Sequence, residues 1–587
     1  MDAATALPRV KKFLGPRFRF IKDLFLKHVV EPRDNRGKRR DHLALLHAIF
    51  AAFLAGCRTP RQAEKLSEYL YIPDRLRWGG KSGRISDTTL RDFALQLHWR
   101  EFTPVLVEQI RAMNRKRELS PEGLPCGVVT VDGKHLGKLL HDAQGMALKQ
   151  APEEGEAFYY VRVLRAVLSS SYAKVCLGQE ALGAPEGEVS GFQPFARWLW
   201  TTYGRHGLFD MFDVDAGFLS RENFEFVDQE LGCGVVAALK GNQPDLYQEA
   251  RRVLIPKWRS ETPEAQTEWE CYQGGQIRRR FYRSLEFDGY LGWTHLRQVW
   301  LVVQEAREKG ALTQVEYEEE LARQQRRARR KRGRLTEPRL RLPVLAPGQS
   351  PLSIESLAAR LTSEPMAQGV ENARTTSRKS RSSKADPGSG TPTPPAGSTM
   401  SSDSTVDAVP ASIAHPAPAK PKRKHKRTKK GSRGGEVEER YLTEDGYLVT
   451  VELRFFITNL PKSTLSPEQS LLVVRNHWAV ENDCFHSLDV QWKEDAPAWC
   501  SAGQALLSLG MLRLLAYNYT QQLRKRHVCI RGVKTQASRV RPWADLFELA
   551  KAALKMLFPA WGEAIPIHRF APARSSPLQC RYEFSTN

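Results

Sequence analysis

The chain has little cysteine to build with. Its nine cysteines make an odd number, and none stands in a C-x-x-C pair. That usage argues against a disulfide framework or a zinc ribbon and fits a reducing compartment. Long apolar runs are missing too. The most apolar stretch, "LALLHAIFAAFLAGC" (43–57), is too short to span a bilayer comfortably and carries His47. It reads as a buried helix, so no membrane is expected. The opening "MDAATALPRVKKF" lacks the apolar core of a signal peptide. No internal repeat is visible. Acidic residues are under-represented: 66 against 89 basic ones leave a net charge of +23. This balance favours a polyanionic partner such as nucleic acid, although much of the excess sits in a few tracts that a solvated tail would also explain.

What is present divides the chain. Residues 1–115 read as helices, with helical apolar spacing broken around Arg58–Pro60 and with Ser86 or Asp87 as an N-cap before "TTLRDFALQL". Paired helices with basic flanks suit either a packing bundle or a DNA-binding helix-turn-helix. Residues 124–310 mix strands and helices. "CGVVTVDGK" and "LFDMFDVDAGF" are short buried strands ending in acids. "FYYVRVLRAVLSSSYAKVCLGQEAL" is two strands joined at a serine-rich turn. "IRRRFYRSLEF" and "HLRQVWLVVQEA" are further strands. This pattern predicts an α/β core with a mixed central sheet. Residues 311–436 become rich in Ser, Thr, Pro, Ala and Gly and end in "KPKRKHKRTKKGSRGG". They cannot bury a core and are expected to be a disordered basic insert, either a plain linker or a polyelectrolyte that grips DNA. Order returns at 437–525 with the strand "GYLVTVELRFFITNLP" and two helices. Residues 526–587 are hard to read.

One of those helices raises a question. In "RNHWAVENDCFHSLDVQWKED" (475–495), an ideal helix puts Glu481 on the apolar stripe of Val474, Trp478, Phe485 and Leu488. An unpaired buried carboxylate is costly. Glu481 must be paired with an internal Arg or Lys, protonated, metal-bound, or facing a cleft. Other acids are placed to join it. Asp132 ends one buried strand, and Asp213 or Asp215 ends another. Strand ends are rigid mounts from which side chains can enter a cleft, though a single strand-end aspartate is more often a turn former. Three converging carboxylates suit Mg2+ or Mn2+, hard ions that prefer oxygen. Two such ions about 4 Å apart can activate the attacking oxygen and stabilise the leaving oxygen of a phosphodiester.

These blocks resemble the DDE transposases of bacterial insertion sequences, specifically the H-repeat-associated (ISAs-type) group. "EPRDNRGKRRDHLALLHAIFAAFLAGCRT" is similar to the group's N-terminal associated domain. "VTVDGKHLG" resembles its first-Asp block, and "VDAGF" followed by "ALKGNQPDL" its second. "RNHWAVENDCFHSLDVQWKEDA" resembles its Arg-x-x-Trp-x-x-Glu-Asn block. The resemblance covers about 30–310 and 437–525. It implies an RNase H-like core with a β-rich insertion between the second Asp and the Glu. The implied catalytic and metal-binding acids are Asp132, Asp215 and Glu481, with Asp213 as the competitor for Asp215. The wider superfamily often shows Tyr-x2-Arg-x3-Glu-x6-Lys around the glutamate, where this chain has Val474, His477 and Leu488. Contacts to DNA would therefore come from Lys134, Lys240, Asn242, Arg475, His477 and Asn482. Trp478 and Trp492 suit either base stacking or the core, the core being favoured, and His486 either a supporting donor or a structural role.

The implied activity is metal-dependent strand cleavage at element ends, followed by transfer of the 3′-OH to target DNA. It would use Mg2+ or Mn2+, two ions in all. The implied partners are the element's terminal repeats and target DNA, in a homodimer, at a cytoplasmic, nucleoid-associated location. The alternatives are an RNase H-like endonuclease that does not join strands and a transposase-derived DNA-binding protein without catalysis.

Overall fold

The N-terminal helices form where capping chemistry starts them. In the computed structural model they are α1 (Ala3–His28), α2 (His42–Leu54), α3 (Pro60–Glu68), α4 (Asp87–Ala94) and α5 (Phe102–Arg115). Asp41 caps α2 through the Leu43 N–H, Thr59 caps α3 with Pro60 at its first position, and Ser86, not Asp87, caps α4 through the Thr89 N–H. These are the expected ways to satisfy orphan N–H groups. The described residues run over 3–309 and 436–558, less short breaks at 35–37, 78–79, 140–146, 151–156, 184–185, 273–274, 444–446, 497–498, 501 and 530–539. The insert expected at 311–436 lies outside the described residues but for its last position.

A mixed sheet of twelve strands follows. In chain order its strands and the helices between them are β1 (Val128–Leu139), β2 (Leu148–Gln150), β3 (Phe158–Leu168), β4 (Cys176–Leu182), α6 (Glu188–Thr202), β5 (Met211–Val214), α7 (Arg221–Glu225), β6 (Gly234–Leu239) and α8 (Pro244–Ser260). Then come β7 (Ala265–Gln266), β8 (Glu270–Tyr272), β9 (Gly275–Ser284), β10 (Gln298–Lys309), β11 (Glu436–Leu442) and β12 (Tyr447–Thr458). The strand order is β2-β3-β1-β5-β6-β12-β10-β9-β7, with β4 on β3, β11 on β12 and β8 on β9. Only β1, β5 and β6 run parallel to one another; β3 and β12 join them antiparallel. That parallel centre explains the uninterrupted runs "VVTV" and "GVVAAL", since both of its faces are covered.

The C-terminal elements are α9 (Pro467–His477), α10 (His486–Trp492), α11 (Gly503–Gln522) and α12 (Trp543–Leu557). Helix α11 is buried at every position except Gln504, as its all-round apolar sequence requires. It ties the N-terminal helices to the sheet. Ser508 Oγ donates to the Leu97 carbonyl, Gln109 donates to the Leu515 carbonyl, and the Asn518 amide joins Cys176 of β4 to Gln109. Helix α2 is buried from Leu43 to Leu54, which leaves it no face for a DNA groove. Residues 1–115 are thus helical as expected but share one core with the sheet. Helix α12, in the stretch that was hard to read, packs Trp543 and Phe547 around Trp492. Residues 559–587 lie outside the described residues. Among the described residues no helix is long and apolar enough to cross a membrane, and the eight described cysteines are free thiols.

Candidate active site

Parallel strands deliver their ends to one edge of a sheet. Asp132 lies just past the last residue of β1 that pairs with β5, Asp215 one residue beyond β5, and Lys240 one residue beyond β6. Residues two apart on a strand share a face, so Asp213 and Asp132 lie on the face that also carries Thr130 and Val236, their partners in register. The two aspartates of β5 nonetheless have different environments. Asp213 is fully buried; it accepts hydrogen bonds from Thr130 Oγ1 (3.1 Å) and from His477 Nδ1 (3.0 Å). Asp215 is 39% exposed and pairs with Lys240 Nζ at 2.9 Å.

The helix that carries Glu481 crosses the same face. Its N-terminus is a capping box of Ser466 and Gln469, with Pro467 in the first turn. Val473 and Val474 pack on Val128, Met211 and Val236. The ideal wheel then fails, because residues 480–485 form a π turn between α9 and α10. Ala479 and Val480 are buried where Trp478 and Glu481 were expected, Trp478 is half-buried, and Glu481 is exposed. The physical reason is the extra residue in the turn. It lets His477 on one side and Cys484, Phe485, Leu488 and Trp492 on the other all face the interior, while Glu481 and Asn482 bulge outward. The expectation of a buried carboxylate is therefore corrected: Glu481 is exposed.

Electrostatics show which groups meet. Burial, and next the negative charge of Glu481, push the Asp132 carboxyl up to about 7, with Asp215 adding to the rise and His477 opposing it. Burial works to raise Asp215, yet the hydrogen bond and charge of Lys240 hold it below the usual carboxylate range. Burial works against the His477 cation, but the charges of Asp213, Asp215 and Asp132 push it up to about 9. Asp132 thus lies close enough to Glu481 and Asp215 to feel both charges, and the His477 imidazolium lies close to Asp132 and Asp215. As the side chains stand, no three His, Cys, Asp or Glu among the described residues are placed to share one ion.

The residues expected to touch DNA divide. Lys134 is turned inward: it is buried, donates to Asp489 at 2.6 Å, and lies 3.8 Å from Glu494. His477 is buried with Nδ1 committed to Asp213, so its role is internal. The Asn242 amide holds the turn after Asp215 through the Ala216 and Leu219 carbonyls. Lys240 is 41% exposed but occupied by Asp215. Arg475 is 46% exposed and paired with Glu270 at 2.9 Å, and Asn482 is exposed. Trp492 is core, its indole N–H donating to the Phe53 carbonyl. Trp478 lies under the Arg454 guanidinium at 4.5 Å, and His486 is exposed.

Sequence reasoning missed several residues. Glu188, in the first turn of α6, reaches the edge where the aspartates emerge. A Cβ on Gly133 would fall 2.0 Å from its Oε1, and one on Gly217 would fall 3.1 Å from its Oε2. Burial raises its pKa, and Asp215 adds to the rise. Only the glycines that follow the two aspartates leave room for this carboxylate. The fully buried Arg165 was also missed. It grips Glu494 through two nitrogens, at 2.6 and 2.9 Å, and Gln179 at 2.6 Å. With Lys134–Asp489, this pair fixes the far end of the π-turn helix to β1 and β3. Acids following an apolar strand are a local signal; partners more than 300 residues away are not.

The fold and the site define a mixed α/β protein with a group of acidic side chains at the end of its parallel strands. Compared with known proteins, the chain matches no family, and no curated protein is significantly similar to it.

Proposed function

We propose that the protein is a DDE transposase, which cleaves DNA strands at element ends and transfers the 3′-OH to target DNA. The observation that carries this reading is the shared charge field of Asp132, Glu481 and Asp215, from two strand ends and a π turn. Support for an RNase H-like core comes from the strand arrangement: antiparallel β4, β3 and β1 adjoin parallel β5 and β6, and the first two acids emerge at the centre. Strands β7 to β12 would be the β-rich insertion.

The donor chemistry fits Mg2+ or Mn2+. Asp132, Asp215 and Glu481 offer only oxygen, and the repulsion felt at Asp132 is the kind a divalent cation relieves. Bound there, two ions would supply Lewis-acid activation of the attacking oxygen and charge neutralisation at the leaving oxygen. The chain's own residues do the rest. Asp213 and Thr130 hold His477 in one orientation, and His477 keeps Asp132 and Asp215 from repelling the fold open. Lys240 orients Asp215.

The test is a gel assay of strand cleavage and joining on element-end DNA with Mg2+. Loss of both products is expected for Asp132→Asn and Glu481→Gln, by at least about 100-fold. Full activity in either variant would sink the mechanism. Cleaved but unjoined DNA would favour an endonuclease. A non-catalytic DNA-binding protein is a second reading with one observation behind it: the Lys240 ammonium and the His477 imidazolium already supply positive charge among the acids. It predicts salt-sensitive binding and no metal-dependent product.

A further inference from the structure

The outward side of the π turn and α10 forms one continuous surface. Asn482 and His486 are exposed, Val490 is 38% exposed, and Lys493 is exposed at the helix's end. These residues are spaced three or four apart, which keeps them to one flank of a helix, and Glu481 stands beside the first of them. The surface continues onto α3. Arg58, exposed just before that helix, donates from Nε to the Gln491 carbonyl at 3.1 Å. Arg61 and Lys65 are exposed on α3 itself. Among the described residues, none of Arg58, Arg61, Lys65 and Lys493 has a carboxylate partner. Of the acids close in sequence, Asp489 accepts from Lys134 and Glu494 from Arg165. Only Asp495 and Glu68 are exposed beside the four cations.

Lys493 is the informative residue. It ends α10 in the left-handed region, with φ 54° and ψ 47°, and its N–H donates to the Asp489 and Leu488 carbonyls. Glycine adopts that conformation freely, whereas lysine adopts it at a cost. The residue is exposed, so packing gives no reason for a lysine there. What lysine adds is an ammonium, two residues beyond the carbonyl that Arg58 holds. A row of exposed, unpaired cations attracts a polyanion. From Glu481 to Lys493 the helical path is about 18 Å at ~1.5 Å per residue. That is about five base-pair steps at ~3.4 Å each.

We propose that this surface is a track for the DNA that flanks the reaction site. Lys493, Arg61 and Lys65 bind backbone phosphates, beginning about five base pairs from Glu481. Arg58 joins the two helices that carry them, and Asn482 and His486 supply donors to the backbone in between. The partner is double-stranded DNA, held by its phosphates and not by its bases. This deepens the proposed function and rests on the acids' being a DNA-cleaving site.

The experiment is a salt titration of fluorescence anisotropy, with full-length protein, a labelled duplex of roughly 30 base pairs and EDTA. The variants are Arg61→Gln/Lys65→Gln/Lys493→Gln together and Lys493→Gly alone. The control is Arg111→Gln/Arg197→Gln/Arg252→Gln, which removes as many exposed cations, at side chains 44%, 56% and 71% exposed. The slope of log Kd against log salt is expected to fall by about 2 to 3 in the triple variant, by about 1 in Lys493→Gly, and not at all in the control. Lys493→Gly should also melt at a higher temperature, because glycine takes the left-handed position without strain. Weaker binding by a more stable protein separates the track from a folding role. A lower melting temperature with an unchanged slope in Lys493→Gly, or a triple-variant slope equal to the control's, overturns the track. Binding in EDTA does not depend on cleavage. If Asp132→Asn keeps full cleavage while the slopes fall, the catalytic assignment fails and the track stands. If cleavage needs Asp132 but the slopes are unchanged, the track fails alone.

Discussion

Asp132 and His477 show how burial and neighbours give similar residues different tasks. The unfolded Asp132 carboxyl titrates near 3.8 and the folded one at about 7. Protonation therefore favours the fold. That contribution is fully present below about pH 4 and is lost as pH rises through 7. Asp132→Asn removes the penalty, so without divalent ions it should be more stable than wild type by about 2 kcal/mol at pH 8. The gain should vanish near pH 4, as thermal melts at both values in EDTA would show. An unchanged gain across that range would contradict the charge assignment. His477 follows the same sign for a different reason: it is a cation that gains acidic partners. Its folded pKa is raised to about 9 from 6.5. Its stabilisation is fully present below pH 6.5 and is lost through pH 9. His477→Ala leaves Asp213 buried without its cation and with only the Thr130 hydroxyl as a donor, at a cost of about 3 kcal/mol at pH 6. Urea titration at pH 6 and pH 9.5 should show a larger loss at the lower value.

Among the elements, the π turn decides where the glutamate points. Deleting Asn482 would let residues 477–485 close into a regular helix. We expect far-UV dichroism to be retained within about 10%, with cleavage lost because Glu481 rotates away. A deletion variant with wild-type cleavage would show that the turn has no bearing on the site. The N-terminus of the same helix offers a milder probe. Ser466→Ala removes the capping box of Ser466 and Gln469, and should lower stability by about 1 kcal/mol without changing DNA binding. Part of this helix was legible in the sequence: Val474, Phe485 and Leu488 of its apolar stripe, which are buried, and the acid that broke the pattern. The π turn was not, because the balance between 3.6-residue spacing and an extra residue is set by what the sheet presents. Val128, Met211 and Asp213 take one side of the turn, and the Arg165–Glu494 and Lys134–Asp489 pairs hold the other.

At the scale of the molecule, distant segments share one core. Trp492 meets Trp543 and Phe547 of α12, and Phe53 of α2 lies against Trp499. Trp543→Ala should cost about 3 kcal/mol, read as a lowered melting temperature for the whole chain in a single transition. Separate transitions for the N-terminal helices and the sheet would contradict a shared core.

Local chemistry alone settled the main strands and helices up to residue 525 and the placing of two acids at the ends of apolar strands, Asp132 and one from Asp213 or Asp215. Those features depend on neighbours within a few residues, and hydrophobic periodicity records them. The tertiary structure decided the rest. It buried Asp213 and opened Asp215, moved Glu481 from stripe to surface, turned Lys134 and His477 inward, and brought Glu188 beside Gly133. Each of these depends on a charge or a surface supplied from far along the chain, where only three-dimensional packing sets the distance between partners.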